Sequence, residues 1–236
     1  MPTDAQRAGA VSPQARALLA LYPRPNFSGS DRYNYQVPIV SGLHQDDLQT
    51  RINKQVRRNF FMGAYAWQST RSDTPDLFGF LETGNVGSHN SSFGYRRSFT
   101  PRSFVNLRVE YSRQRTEVTP FFAGRRNVSG EAGIAGNNQE PANWGPPSLV
   151  FSSGITPLTM AQSALNRNQT AVFGADGFLA RAAHNIAYGY TQRRQQFNVL
   201  GQQDARGTFA FTGPSDFENF KRGVPDTSSI AFGNAD

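Results

Sequence analysis

Residues 91–117 read SSFGYRRSFTPRSFVNLRVEYSRQRTE, and this stretch determines how the rest of the chain is interpreted. In its second half apolar and polar side chains alternate: Val105, Leu107, Val109 and Tyr111 against Asn106, Arg108 and Glu110. A period of two is typical of a β-strand, because successive side chains of a strand point to opposite faces. The first half alternates more loosely. The stretch therefore predicts a β-hairpin that turns at residues 100–103.

One face of this hairpin is apolar and the other is polar, and two kinds of fold would satisfy that pattern. One is an antiparallel sheet lying on a soluble core, and the other is a transmembrane barrel with lipid outside and a wet lumen inside. In a barrel, the apolar set Val105, Leu107, Val109 and Tyr111 would face lipid. The polar set Asn106, Arg108 and Glu110 would then face the lumen.

Composition argues against an ordinary cytosolic enzyme. The chain has 22 Gly and 14 Pro, is 37% hydrophobic and has a mean hydropathy of -0.54, which suits strands joined by many polar loops. Its formal charge of +7 favours anionic partners such as lipopolysaccharide or acidic headgroups. It has no cysteine, which excludes disulfides and thiolate metal sites.

The remaining segments are predicted to be one short helix, further strands and long loops. Ser12-Pro13 is an N-cap and N1 pair, and it predicts a helix over residues 12–21. Strands are predicted, besides the hairpin, at residues 47–56, 60–70, 168–179, 184–197 and 207–212. Loops are predicted at 71–88, 118–167 and 214–236, the second of them being a long extracellular loop.

The lengths of the connections favour the barrel. Short connections (57–59, 100–103 and 180–183) alternate with longer ones (71–88, 118–167 and 198–206). Outer-membrane barrels have tight turns on the periplasmic side and long loops outside, whereas a soluble sandwich has no reason to alternate in this way. We therefore expect an all-β fold of antiparallel, up-and-down strands, a partial outer-membrane β-barrel of about six or seven strands.

The two ends of the sequence and its apolar runs give further expectations. No run approaches the ~18 apolar residues of a membrane helix. The first residues show no basic segment followed by an apolar one, so no signal peptide is expected. Either the protein stays inside the cell or the chain lacks its true beginning.

The sequence offers few candidate site residues. No catalytic, cofactor-binding or metal-binding set stands out, and His44 beside Asp46 and Asp47 is expected to be solvated. Paired arginines such as Arg193-Arg194 could bind phosphate, but we expect one to face the lumen and the other to reach the headgroups. Aromatic residues of the long loop are possible ligand contacts: Trp144, Phe121 and Phe122.

Several phrases, which together cover nearly the whole chain, resemble the barrel part of Oar-like TonB-dependent outer-membrane receptors. They lie at residues 12–26, 47–53, 99–116, 143–151, 194–213 and 223–236. The resemblance implies a closed 22-stranded barrel with a plug, which takes up scarce or bulky solutes with energy from TonB. The phrases are structural loops and strands, so they indicate the family rather than a cargo.

The chain departs from that family's pattern in lacking a signal peptide, a TonB box, a plug and a closing C-terminal strand. We therefore expect an internal fragment of the barrel spanning residues 1–236: a loop with a short helix at 1–42, four strands at 43–117, the long loop at 118–167, further strands at 168–213 and a loop at 214–236. Within a full-length parent it would lie in the outer membrane.

The leading hypothesis is thus a fragment of a TonB-dependent transporter, not an enzyme and without a cofactor. Its partners would be outer-membrane lipid and lipopolysaccharide, an unknown solute, and the TonB complex through the plug and TonB box of a longer parent. Nucleic acid is not expected. The alternatives are a soluble or surface β-rich module that binds glycans or polyanions, and a truncated product with no independent function.

Overall fold

A long antiparallel sheet dominates the computed structural model, which describes residues 1–30 and 32–231. Its six strands, in spatial order, are β1 (Gly42–Val56), β2 (Asn59–Pro75), β3 (Leu81–Thr100), β4 (Ser103–Thr119), β6 (Ala164–Arg181) and β7 (His184–Gly201). A second sheet contains β5 (Ser148–Phe151), β8 (Asp204–Phe211) and β9 (Thr227–Ala231). The predicted all-β, up-and-down architecture is confirmed.

Two-residue turns join the strands at one end of the six-stranded sheet. They lie at residues 57–58, 101–102 and 182–183. Arg57 and Ala182 each have a φ of 52°, the left-handed conformation that tight hairpins require at their centre. We call this the turn end of the sheet.

The connections at the opposite end are longer, but the predicted loop at 71–88 is wrong. Only residues 76–80 separate β2 from β3, and the flanking residues pair in register, with Asp73 opposite Thr83. These parts of the strands contain few large apolar residues, Leu81 and Val86, and the two lie on opposite faces, so the segments carry no alternation of hydrophobicity. Backbone pairing continues there without it. The long loop is confined to residues 120–163 between β4 and β6.

The end of the chain also differs from its prediction. The predicted strand at 207–212 is β8, which belongs to the second sheet and pairs in parallel with β5, so it does not extend the six-stranded sheet. The predicted loop at 214–236 contains helix α4 (Asp216–Arg222) and β9. Its last residues, 232–236, lie outside the described residues.

The connecting segments and the second sheet form a folded unit that we call the cap (residues 1–30, 32–41, 76–80, 120–163 and 202–231). Besides α4, it contains α1 (Asp4–Arg7), α2 (Pro13–Leu19), α3 (Val128–Glu131) and a 3-10 turn (Pro141–Asn143). The predicted helix corresponds to α2, where the Ser12 hydroxyl accepts a hydrogen bond from the Ala15 amide. The cap lies at the end of the sheet opposite the turns.

The hydrophobic core lies in the cap and not in the six-stranded sheet. Thirteen of the fourteen buried hydrophobic side chains among the described residues belong to the cap, the exception being Val172 in β6. Side chains of α2, α4, β5 and β8 meet there, and Phe78 and Phe80 of the β2–β3 connection pack against them. The long sheet therefore has no core of the kind that stabilises a soluble domain.

None of the helices in the described part of the chain is long and apolar enough to cross a membrane.

Candidate functional site

The register of the six strands divides their side chains between two faces, because directly opposed residues point to the same side. One row of opposed residues comprises Arg51, Ala64, Ser92, Glu110, Val172 and Arg193. The next row on the same face comprises Gln49, Ala66, Asn90, Ser112, Thr170 and Gln195. We call the side that carries these rows the polar face.

A cavity of about 790 Å³ lies along these two rows, and its lining reaches from β1 to β7. Its lining mixes polar and apolar groups: hydroxyl and amide side chains, Glu110 and the two arginines at the ends of the row, Arg51 and Arg193, lie beside Val172 and two tyrosines. Small side chains, Ala64 and Ala66, leave room on β2. Such a surface offers many donors and acceptors and can hydrogen-bond a polar solute.

The structure places Asn106, Arg108 and Glu110 together on this polar face. The Asn106 amide donates to the Asp176 carboxylate on β6 at 2.7 Å. The Arg108 guanidinium forms an ion pair with Glu110 at 3.2 Å, and it lies beside Gly174, which has no side chain to obstruct it. The three residues thus have polar partners on that face, although their position in a lumen stays a prediction.

Val105, Leu107, Val109 and Tyr111 lie on the opposite side, which we call the apolar face. Large side chains there are exposed: Val109 to 48%, Tyr190 to 59% and Ile52 to 70%. Tyrosine hydroxyls on this face bond to polar neighbours, as Tyr111 does to Gln169 at 2.9 Å. An extended exposed apolar surface marks contact with lipid or protein. Contact of these side chains with lipid stays a prediction.

The apolar residues form a band that slopes across the strands. In one row of opposed residues, β1 and β2 carry Leu48 and Trp67, whereas β4 and β7 carry Arg113 and Gln196. On β7 the last aromatic residue of the band is Tyr190, three rows nearer the turn end. Strands that tilt relative to a flat band give this slope, and strands of closed barrels tilt by about 35–45°.

The structure gives the predicted loop aromatics different surroundings. Phe122 is 4% exposed and packs edge-on against Phe80, with ring centroids 4.8 Å apart. Phe121 also packs on Phe80 and lies under the Arg125 guanidinium. Trp144 is partly exposed, and its Nε1 donates to the Gln139 carbonyl at 2.9 Å. Packing in the cap accounts for the two phenylalanines, and ligand contact by any of the three stays a prediction.

Sequence reasoning did not identify Arg206, a buried cation in β8. Its Nη2 donates to the carbonyls of Met160 and Ala161, at 3.1 and 2.6 Å. Its Nε and Nη1 are buried and have no hydrogen-bond partner in the described part of the chain. Burial lowers the pKa of Arg206, and Glu82 and Asp204 partly oppose that change. No local pattern marks such a residue, since its partners lie more than forty positions away.

Asp216, at the start of α4, is a second buried group that the sequence did not reveal. Its carboxylate accepts hydrogen bonds from the Ser153 amide at 2.6 Å and from the Phe217 amide at 2.5 Å. Burial acts to raise the pKa of Asp216, but these bonds outweigh it and the pKa is lowered. Through its hydrogen bond with Ser153, the carboxylate therefore links α4 to the segment that follows β5.

In residues 1–30 and 32–231, no group of three or more His, Asp and Glu side chains is arranged to hold a metal ion.

A long up-and-down sheet with one polar and one apolar face defines the architecture of an outer-membrane β-barrel protein. The family model described as "outer membrane beta barrel domain" matches residues 2–236. The chain therefore belongs to the outer membrane beta barrel domain family, whose description indicates an outer-membrane location. No curated protein and no solved structure matches the chain.

Proposed function

We propose that the chain forms part of the wall of a TonB-dependent transporter barrel of the Oar-like kind, which takes up scarce or bulky solutes. The observation that carries this proposal is the polar face, with its cavity of about 790 Å³ below a folded cap. The sequence phrases that resemble Oar-like receptors support the more specific part of it.

In this proposal the polar face lines the lumen, and Asn106, Arg108 and Glu110 belong to the path of the solute. The cap stands at the outer mouth, where its exposed side chains, Trp144 among them, contribute to the capture of cargo. Transport and not catalysis is proposed, because the sequence carries no recognisable set of nucleophile, base and orienting group.

The edges of the sheet set a requirement on this proposal. The outer edges of β1 and β7 carry no paired strand in the described residues. Each unpaired backbone group in a bilayer costs a free energy on the order of several kcal/mol, so both edges need further strands to form a barrel. We propose that strands of a longer parent supply them, and that its plug and TonB box make the contact with TonB.

Cross-linking in native cells tests the proposal. Antibody raised against residues 113–144 would be used to identify the polypeptide that carries this chain, its size and its compartment. We expect an outer-membrane band several times larger than 26.0 kDa that cross-links to TonB. An outer-membrane band without a TonB adduct would overturn energy-coupled uptake, and a soluble band of this chain's own mass would favour a β-rich binding module.

A further inference from the structure

Four arginines lie on the apolar-face side of three neighbouring strands, between the aromatic residues of the apolar band and the cap. They are Arg113 and Arg115 on β4, Arg167 on β6 and Arg194 on β7. On the side of the turn end, at most two outward-facing positions separate each arginine from a large aromatic residue of the band: Tyr111 on β4, Phe173 on β6 and Tyr190 on β7. On the side of the cap, Leu165 on β6 and Leu200 on β7 follow on the same face. We call these four residues the arginine patch.

Two members of the patch oppose each other directly. Arg115 on β4 is the register partner of Arg167 on β6. Side chains in such a pair have Cβ atoms about 4.5–5.5 Å apart, and like charges directly opposite destabilise a sheet. The fold itself gains nothing from this juxtaposition, so an anion between the two guanidinium groups would remove its cost.

The patch has more donors than the described residues satisfy. Arg115 is paired with Glu117 at 2.9 Å. The Nε of Arg167 is shielded from solvent and has no hydrogen-bond partner in the described part of the chain. Gln169 lies between the arginines but is bonded to the Tyr111 hydroxyl. Between the apolar band and the cap, the described residues on this side of β3, β4, β6 and β7 include one carboxylate, Glu117. Four guanidinium groups share that surface with it.

We propose that the arginine patch binds a phosphate group of an outer-leaflet glycolipid. Guanidinium groups recognise phosphate with paired hydrogen bonds, which the two opposed arginines can share. Two residues of a strand rise about 6.8 Å, so the patch stands one to three such steps above the apolar band, at the height of lipid headgroups. Barrels carry tight turns on the periplasmic side, so the cap end faces the outer leaflet. Phosphorylated lipopolysaccharide has the required chemistry.

This inference rests on contact of the apolar face with lipid and is independent of transport. The polypeptide that carries this chain would be extracted from outer membranes in detergent and titrated with diphosphorylated lipid A, dephosphorylated lipid A and inorganic phosphate. We expect the diphosphorylated lipid to bind most tightly. Substituting both Arg115→Gln and Arg167→Gln should weaken it about tenfold or more, since charge-assisted hydrogen bonds are lost.

The matched control removes two cations at the turn end, Lys54→Gln with Arg57→Gln, and should leave the affinity within about threefold. A milder variant, Arg167→Lys, retains the charge but loses the planar guanidinium fork, so we expect an intermediate loss of affinity for the lipid. This variant also tests the proposal if the double variant does not assemble. Unchanged affinity in the arginine variants would overturn the proposal. So would equal binding of dephosphorylated lipid, or binding of inorganic phosphate as tight as that of the lipid. A missing TonB adduct would leave these results unaffected.

Discussion

The cap and the six-stranded sheet place their hydrophobic residues in opposite ways. In the cap, the rings of Phe211 and Phe220 are buried and meet edge to face, and the partly buried ring of Phe151 stacks on Phe211. In the sheet, side chains of the same kind, such as Phe93 and Phe173, are 49% and 43% exposed. The cap packs its hydrophobic side chains inward, as a water-soluble domain does, whereas the sheet leaves those of its apolar face exposed.

This difference separates two sources of stability within one chain. The cap gains hydrophobic free energy from its own packing, at about 25 cal/mol per Å² of apolar surface buried. The sheet gains continuous backbone pairing through five antiparallel interfaces, while its apolar face stays available to lipid. Substitutions in the cap should therefore change the free energy of cap unfolding, whereas substitutions on the apolar face of the sheet should change assembly of the barrel.

The largest effect is expected from Phe220→Ala in the cap. Phe220 is 2% exposed and contacts the rings of Phe151, Phe211 and Phe217, so its loss leaves a cavity costing about 3–5 kcal/mol in the free energy of cap unfolding. Pulse proteolysis within residues 120–163 measures it. Val150→Ala, at a position 41% exposed in β5, is the control and should stay within about 0.5 kcal/mol. Equal losses would show that the cap has no core.

Val109→Arg should have the next largest effect, and it acts on the sheet. An arginine on a lipid-facing site costs about 2–4 kcal/mol at the bilayer midplane, whereas a lumen site carries no such penalty. Asn106→Arg on the polar face is the matched control. Heat-modifiability gels of the complete parent barrel report assembly, and Val109→Arg should reduce the folded fraction far more. Equal defects would reverse or remove the proposed facing of the sheet.

The same contrast explains how much of the molecule could be predicted from sequence. Strands such as β4 and β7 were predictable where one face is apolar, because Val109 and Tyr190 alternate with polar neighbours. The strand residues 71–75 and 81–88 were not predictable, since they are mostly polar and show no alternation of polar and apolar side chains. Of the cap, α2 and β8 were predictable as single elements, but the core that they share was not. That core joins Leu18, Leu149 and Phe220 from distant segments, and no local periodicity indicates which segments come together.

Acid should weaken the cap through Asp216. Its pKa is lowered in the folded state, so the carboxylate contributes stability above the unfolded pKa of about 3.9 and loses it as the pH falls through the folded value. Asp216→Asn should cost roughly 1–3 kcal/mol at neutral pH and little in strong acid, because hydrogen bonds to a charged acceptor are lost. Denaturant unfolding of the cap at several pH values measures this.

The control for Asp216 lies on the same helix. Glu218 is exposed and forms an i, i+3 ion pair with Lys221. Glu218→Gln should cost less than Asp216→Asn, about 1 kcal/mol or below, because Glu218 is exposed and a glutamine oxygen can still accept a hydrogen bond from Lys221, whose side chain is only 10% exposed. If the two variants had the same pH profile, the buried hydrogen bonds of Asp216 would not be the source of the acid sensitivity.

The smallest effect concerns two glycines on the apolar face of the sheet. The Tyr188 ring lies over Gly177, its register partner, in the space that a Cβ would take, whereas Gly63 has open space around it. Gly63→Ala should stabilise the sheet by about 0.4–1 kcal/mol, because alanine reduces the freedom of the unfolded chain. Gly177→Ala should lose that gain, since the ring must swing outward. Midpoints of heat modification in the parent barrel measure the difference. Equal midpoints would mean that the contact between the Tyr188 ring and Gly177 does not stabilise the sheet beyond its backbone pairing.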